Sequence, residues 1–230
     1  MKKLTFLLAA LVSGASLSAQ APAPAPASSY SVTVDFPYAS KYVFRGVQYA
    51  KGSLQPSVKV TSGDFYFGIW ANAPLDRGYE LEIDYFVGYG IKLKEGWSVD
   101  LGATLYSYPG LDVGDKTTFE PYVGLNGSFG SVSSATYAYY DTKLEVFTAQ
   151  QTFGYSIPLD EKAAFNISAT LGHVSPDSGS GYTYYGLGAT VPYKLSDKAT
   201  VTAGIQYASH DIDFVDDSHF WFTLGFTYTF

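Results

Sequence analysis

The sequence predicts an all-β chain that closes into an antiparallel transmembrane β-barrel of about 12 strands, with both termini in the periplasm. Three observations predict this fold: long strands of alternating polarity, connections that are short and long in turn, and a composition rich in aromatic residues and glycine. Of the 230 residues, 17% are aromatic, with 21 Tyr and 16 Phe, and 23 are Gly. That composition is typical of strands and tight turns.

The N-terminal residues have the features of an export signal. Lys2 and Lys3 precede an apolar stretch that is followed by small residues up to Ala19, which predicts a signal peptide over residues 1–19. Residues 20–29 are rich in Ala and Pro and predict a disordered leader, because Pro fixes φ and donates no hydrogen bond. Residues 30–230 remain as one barrel domain. No stretch of the chain reaches the roughly 20 apolar residues of a spanning helix.

Charge and cysteine content exclude several classes of protein. The chain has no Cys, so it has neither a disulfide framework nor the acylated cysteine of a lipoprotein. Removal of Lys2 and Lys3 leaves 12 basic residues against 21 acidic ones, a formal charge of −9, which argues against a nucleic-acid partner. No Cys/His cluster suggests zinc, and no glycine-rich turn precedes a helix. We therefore expect no metal and no cofactor.

Alternating polarity identifies the strands. Between residues 81 and 93 every odd position is apolar or aromatic, and residues 220–230 repeat the pattern with five large apolar side chains before Phe230. Such runs exceed the usual soluble strand of about 5 to 6 residues and suit a tilted strand that crosses a bilayer. The predicted strands are residues 42–48, 54–61, 65–71, 81–93, 97–105, 119–129, 133–140, 149–157, 163–171, 183–195, 201–207 and 220–230.

The connections between these strands alternate in length. Short turns are predicted at 62–63, 94–96, 130, 159–162 and 196–198. They alternate with longer connections at 108–116, 174–181 and 210–217, and with shorter ones on the same side at 73–78 and 141–143. Short periplasmic turns and longer outer loops are typical of outer-membrane barrels. The first and last strands must pair, because an open edge in hydrocarbon leaves backbone groups without partners. Aromatic residues near the strand ends are predicted to form interfacial girdles: Trp97, Tyr106, Tyr155, Tyr193 and Tyr207.

Residues 42–48 read Tyr-Val-Phe-Arg-Gly-Val-Gln. With this motif, the first half of the predicted barrel resembles the TorF-type outer-membrane porin family of Gram-negative bacteria. The run 42–48 is similar to that family's aromatic-x-Phe-Arg-Gly-x-Gln signature, and 55–57, 65–72, 82–88, 106–110 and 120–124 are similar to its later blocks. The later strands agree mainly in pattern, and the leader is not part of the resemblance. The resemblance implies an outer-membrane barrel with a channel role, and it brings no defined substrate and no catalytic residues.

Charged residues on the predicted inner face are the candidate pore-lining side chains. They are Arg45, Lys59, Glu80, Glu82, Asp84, Lys92, Asp100 and Glu120. Charge inside a barrel needs water or partners. One interpretation is a charged constriction that passes small hydrophilic solutes or ions by diffusion and prefers cations mildly; the other is an ion-paired filling of a narrow barrel. Arg45 is central to both, because it is always charged and can pair bidentately with a carboxylate. Gly46 beside it suggests a bulge that would change the face on which Arg45 lies.

Two other functions stay open at this stage. His210 and His219 flank an acidic stretch with Ser218 adjacent, which supplies the residue types of an outer-rim hydrolase, although closeness in sequence is weak support for that geometry. The acidic stretch is Asp211, Asp213, Asp216 and Asp217. A closed barrel that serves as a structural anchor is the third alternative. We assign no catalytic residue and expect no enzyme.

The C-terminal strand also predicts a partner in biogenesis. Phe226, Tyr228 and the terminal Phe230 alternate on one face and resemble the signal that the barrel assembly machinery reads. The further expected partners are outer-membrane lipid and lipopolysaccharide.

Overall fold

The computed structural model describes residues 30–111, 116–213 and 215–230. The predicted signal peptide and leader lie outside the described residues. Within the described residues the chain is all-β, apart from one turn of 3-10 helix at Lys94–Gly96. No helix in this part of the chain is both long enough and apolar enough to cross a membrane.

Sixteen strands make up the described structure. They are β1 (Ser31–Asp35), β2 (Tyr38–Ala39), β3 (Tyr42–Phe44), β4 (Val47–Ala50), β5 (Ser53–Leu54), β6 (Ser57–Ser62), β7 (Phe65–Pro74), β8 (Glu82–Lys92), β9 (Ser98–Ser107), β10 (Thr117–Phe129), β11 (Val132–Asp141), β12 (Val146–Pro158), β13 (Ala164–Pro176), β14 (Tyr182–Lys194), β15 (Ala199–His210) and β16 (Ser218–Thr229).

Fourteen of these strands form one closed antiparallel sheet. β1 and β2 continue one another along the barrel wall, as do β5 and β6, so the barrel has twelve strands. The wall closes where β16 pairs with β1, with Thr33 opposite Thr229 and Asp35 opposite Thr227. The amide of Phe230 donates to the carbonyl of Val32 at 2.9 Å. The prediction of a closed barrel of about 12 strands is confirmed.

The two faces of each strand differ as period 2 requires. On β8, Glu82, Asp84 and Phe86 are buried in the interior, while Tyr85 and Val87 are exposed on the outer face. The same division holds around the wall, where large apolar side chains such as those of Phe67, Leu125, Phe153, Leu187 and Phe222 stand outward and are exposed. Contact of this apolar outer face with water would be unfavourable in proportion to its area.

The two ends of the barrel are built differently. At one end, here named the turn end, β6, β8, β10, β12 and β14 are each joined to the next strand by a tight turn. Gly63 and Gly130 have positive φ in two of these turns, and the Asp160 side chain accepts from the amides of Lys162 and Ala163 in another, both at 2.7 Å. The other end, the loop end, carries the longer connections.

The prediction that residues 42–48 form the first barrel strand is wrong. The first barrel strand is Ser31–Asp35 with Tyr38–Ala39, and residues 42–50 form a separate two-stranded hairpin of β3 and β4. Arg45 and Gly46 both have positive φ, which is the backbone of a two-residue hairpin turn. A hairpin packed inside the barrel presents apolar side chains to the interior, so residues 42–48 show the same alternation as a membrane strand that presents them to lipid.

Candidate functional site in the barrel interior

The β3–β4 hairpin, named the inward hairpin (residues 42–50), folds from the loop end into the interior. Tyr42, Phe44 and Arg45 are only 3 to 6% exposed, and Ala50 is fully covered. Backbone hydrogen bonds hold the base of the hairpin in the wall: the amide of Ser40 donates to Phe222 and that of Leu75 to Gly52. The hairpin is therefore part of the packed interior.

The tip of the inward hairpin rests against the far wall of the barrel. An ideal Cβ on Gly46 would lie 2.8 Å from the Cβ of Tyr184 on β14 and 3.1 Å from that of His210 on β15. No side chain fits there, and φ of +84° also favours Gly. The Gly46 position, predicted as a bulge, is thus the turn residue that lets the hairpin reach across the interior.

Arg45 fixes the tip to β10. Its two guanidinium nitrogens donate to the two carboxylate oxygens of Glu120, each at 3.0 Å, and Tyr106 donates its hydroxyl to the same carboxylate at 2.8 Å. The guanidinium carbon also lies 4.6 Å from the ring centre of Phe44 and 4.8 Å from that of Tyr139. Because both charges are buried, removing either partner leaves the other uncompensated, a change that costs about 3 to 5 kcal/mol in proteins.

Aromatic packing fills the space around this ion pair. The Tyr42 ring centre lies 5.6 Å from that of Trp70 and 6.0 Å from that of Tyr49. The buried cluster consists of Tyr42, Phe44, Ala50, Trp70, Phe86, Tyr106 and Tyr108. Inward residues on the remaining strands are covered as well: Asn72, Asp141, Thr148, Val174, His210 and His219. Among the described residues, the loop-end half of the interior is therefore filled by side chains.

The turn-end half of the interior is polar and less densely filled. Asp100 on β9 accepts from the hydroxyls of Tyr66 and Tyr137 at 2.9 Å, and the Tyr66 and Tyr122 hydroxyls are 2.6 Å apart. Inward glycines make room for these rings, since a Cβ on Gly88 would lie within 2.2 Å of the Tyr66 ring. The opposite wall, β12 to β16, presents small and polar side chains: Thr152, Gly154, Ser168, Thr170, Gly188, Thr190, Gly204, Thr223 and Thr227.

Seven of the eight predicted pore-lining residues occupy three places. Arg45, Glu82, Asp84 and Glu120 lie together in the filled half, each at most 6% exposed. Lys59 and Asp100 belong to the turn-end half. Lys92 is at the turn end, where its ammonium lies 2.7 Å from Asp64.

Glu80 is the exception among these residues. The sequence predicts that Glu80 points inward just before the strand 81–93, and that prediction is wrong because β8 begins only at Glu82. Glu80 is exposed in the connection before β8, where its carboxylate lies against Gly110. Tyr106, predicted for an interfacial girdle, also differs: it faces the interior and is 4% exposed, because its hydroxyl binds Glu120.

Sequence reasoning missed the partners of the inward hairpin. Trp70, Tyr139, Tyr184 and His210 all contact it. The usable signal was the Arg45–Gly46 pair between two short apolar runs, a spacing that also predicts a two-residue hairpin turn.

The His and Asp residues of the rim do not assemble as a triad in the described structure. The rings of His210 and His219 both face the interior with centres 6.2 Å apart, and the Asp211 carboxylate accepts from the amide of Thr183 at 2.7 Å. In the described residues no hydrogen bond joins Ser218 to either imidazole. Nor do three or more His, Cys, Asp or Glu side chains of the described chain come together as a metal-binding group.

Several solved structures with a similar fold are outer-membrane porins and channels. The KdgM porin superposes with a TM-score of 0.61 at 12% identity, over 86% of this chain and 99% of that chain. The NanC porin gives 0.54 at 16% identity, over 86% and 98%. The COG4313 outer membrane channel from Pseudomonas putida F1 gives 0.53 at 10% identity, over 90% and 97%. At these identities the likeness shows a shared barrel fold.

Sequence comparison gives the family. No curated protein matches the chain in sequence. The sequence model of one family, described as bacterial protein of unknown function (Gcw_chp), matches residues 23–230. Because that match spans the whole barrel, the chain belongs to the Gcw_chp family of bacterial proteins.

Proposed function

We propose that the chain is an outer-membrane channel for passive diffusion of small hydrophilic solutes or ions, with a mild preference for cations. The observation that carries the proposal is the closed twelve-stranded wall with an apolar outer face and a polar inner face. Only a closed barrel leaves no strand edge without partners in hydrocarbon. The likeness to KdgM, NanC and the COG4313 channel supports the same function, as does the resemblance to TorF-type porins.

We also propose an orientation of the barrel in the outer membrane. The short turns and both described ends of the wall lie at one end of the barrel, which in outer-membrane barrels is the periplasmic end. The inward hairpin then enters from the cell surface, and the turn-end half is a vestibule open to the periplasm. Phe226, Tyr228 and Phe230 stand on the outer side of β16 or at its end, where the barrel assembly machinery would read them, and lipid and lipopolysaccharide would surround the wall.

The cation preference follows from the charges of the interior. Asp35 and Asp100 face inward against Lys59, whereas Glu120 in the filled half is paired with Arg45. Fixed carboxylates in a narrow water-filled passage raise the local concentration of cations.

Reversal potentials test the proposed function. The refolded chain in a planar bilayer with a salt gradient should give a potential of the sign for cation flow, and Asp100→Asn with Asp35→Asn should reduce it. Asp197→Asn, in an exposed turn, serves as the matched control and should leave it unchanged. A folded protein without ion current would contradict the channel.

The filled loop-end half favours one second candidate. A barrel whose inward hairpin stays locked in place would act as a closed structural barrel and anchor. Folded protein that stays silent even after the inward hairpin is shortened would favour this candidate. We propose no catalytic role for the rim histidines.

A further inference from the structure

Two neighbouring carboxylates in the filled half have too few partners. Glu82 and Asp84 both face inward on β8, at 4% and 0% exposure. Glu82 accepts one hydrogen bond, from the Tyr108 hydroxyl at 3.0 Å. Neither oxygen of Asp84 has a donor among the described residues. A buried carboxylate without a donor or a counter-charge is strongly unfavourable.

The nearby cation does not neutralise this pair. Among the described residues, Arg45 is the buried cation of this half, and it uses two guanidinium nitrogens on the two oxygens of Glu120. No basic side chain of the described residues forms a salt bridge with Glu82 or Asp84. Like charges this close cannot both persist in a buried site without a cation or a proton.

A second, independent observation concerns the same place, next to Glu82 and Asp84. Tyr42 of the inward hairpin is 4% exposed and packs in the same cluster as Tyr108, the donor to Glu82. Among the described residues, the buried Tyr42 hydroxyl has no hydrogen-bond partner within normal distance and angle. Trp70 is the register partner of Asp84 on β7, and its ring centre lies 5.6 Å from that of Tyr42. The spot is thus enclosed by the hairpin on one side and by the barrel wall on the other.

We propose that Glu82 and Asp84, with the phenol oxygen of Tyr42, bind one divalent hard cation such as Ca²⁺ or Mg²⁺. All the candidate ligands are oxygens, which these cations prefer over nitrogen and sulfur. A double positive charge balances the two carboxylates, and the carboxylates and the phenol together present five oxygen atoms to the ion. The bound ion would join β8 to the inward hairpin. The inference goes beyond the proposed function, since a barrel that conducts nothing can still hold the ion.

Terbium luminescence tests the site directly. Tb³⁺ prefers oxygen ligands as Ca²⁺ does, and Trp70 beside Asp84 would sensitise its emission. The refolded full chain, first treated with EDTA, should show saturable emission that Ca²⁺ competes away. The double variant Glu82→Gln, Asp84→Asn should lose this emission. Asp35→Asn removes an inward carboxylate that has hydroxyl partners, Ser57 and Thr227, and should keep it.

Calorimetric titration with Ca²⁺ provides the second measurement and uses a milder variant. Tyr42→Phe removes a single hydroxyl and should weaken Ca²⁺ affinity by about tenfold, within the range found for groups that support a metal site. The heat-dependent electrophoretic mobility of barrels checks that each variant folds. If the double variant does not fold, Ca²⁺ binding by Tyr42→Phe and by Asp84→Asn tests the site instead. Absence of saturable binding to the folded wild type, or equal binding by the variants, would overturn the proposal and leave a shared proton as the neutralising charge. Neither result depends on ion conduction.

Discussion

Arg45 and Glu120 hold the inward hairpin in the interior. The pair is bidentate, buried and further bound by the Tyr106 hydroxyl, so each charge is compensated by the other. The exposed pair of Lys92 and Asp64 has the same chemistry in water and contributes little, because water screens it. Burial therefore decides which of the two ion pairs stabilises the structure.

Glu120→Gln is expected to release the inward hairpin. The uncompensated guanidinium should cost about 3 kcal/mol or more, which corresponds to a roughly hundredfold faster hydrogen exchange of the hairpin amides. Exchange measured by mass spectrometry on the refolded barrel checks this, with Lys92→Gln as the control that should leave the hairpin unchanged. Equal exchange in both variants would show that the pair does not hold the hairpin.

A comparison of Gly46 with Gly130 separates the cost of backbone strain from the cost of steric contact. Both have positive φ, but a Cβ on Gly46 would meet Tyr184 and His210, whereas a Cβ on Gly130 would meet nothing within 4 Å. Gly130→Ala should cost about 1 kcal/mol for the left-handed backbone. Gly46→Ala should cost about 1 to 3 kcal/mol more, the usual range for overpacking. Urea unfolding of both variants measures the difference, and equal losses would place Gly46 in open space.

At the scale of elements, the wall could be predicted from the sequence and the inward hairpin could not. Period 2 and the turn residues gave β7 to β16 to within a few residues, since each of these strands has one apolar and one polar face. The hairpin has the same alternation for a different reason: Tyr42 and Phe44 pack on Trp70 and Tyr106 in the interior. The alternation indicates that one face of a segment is covered. It does not indicate whether lipid or the barrel interior covers that face.

A disulfide tests which segment closes the barrel. Thr33 and Thr229 are register partners with hydroxyl oxygens 3.2 Å apart, and directly opposed antiparallel residues have the Cα spacing of a disulfide. In this chain without native Cys, Thr33→Cys with Thr229→Cys should cross-link readily. Gln48→Cys with Thr229→Cys should not. Cross-linking of the second pair instead would restore residues 42–48 as the first barrel strand.

At the scale of the whole molecule, the barrel interior is divided into a filled loop-end half and a polar turn-end half. The charged candidates could be read from the sequence because their strand positions put them on the inner face. Their grouping could not, since Arg45 reaches Glu120 only through a hairpin that crosses the interior. The position of Glu80 could not be predicted, because the alternation of apolar and polar residues continues into the connection that precedes β8.

The most direct test of the account compares single-channel conductance of the wild type with that of a variant whose inward hairpin is cut to a tight turn between Ser40 and Gly52. If the barrel is a channel narrowed by this hairpin, the wild type gives small discrete steps and the shortened variant gives markedly larger ones in the same bilayer. Folded wild type and folded variant that are both silent, or steps of equal size in both, would contradict it.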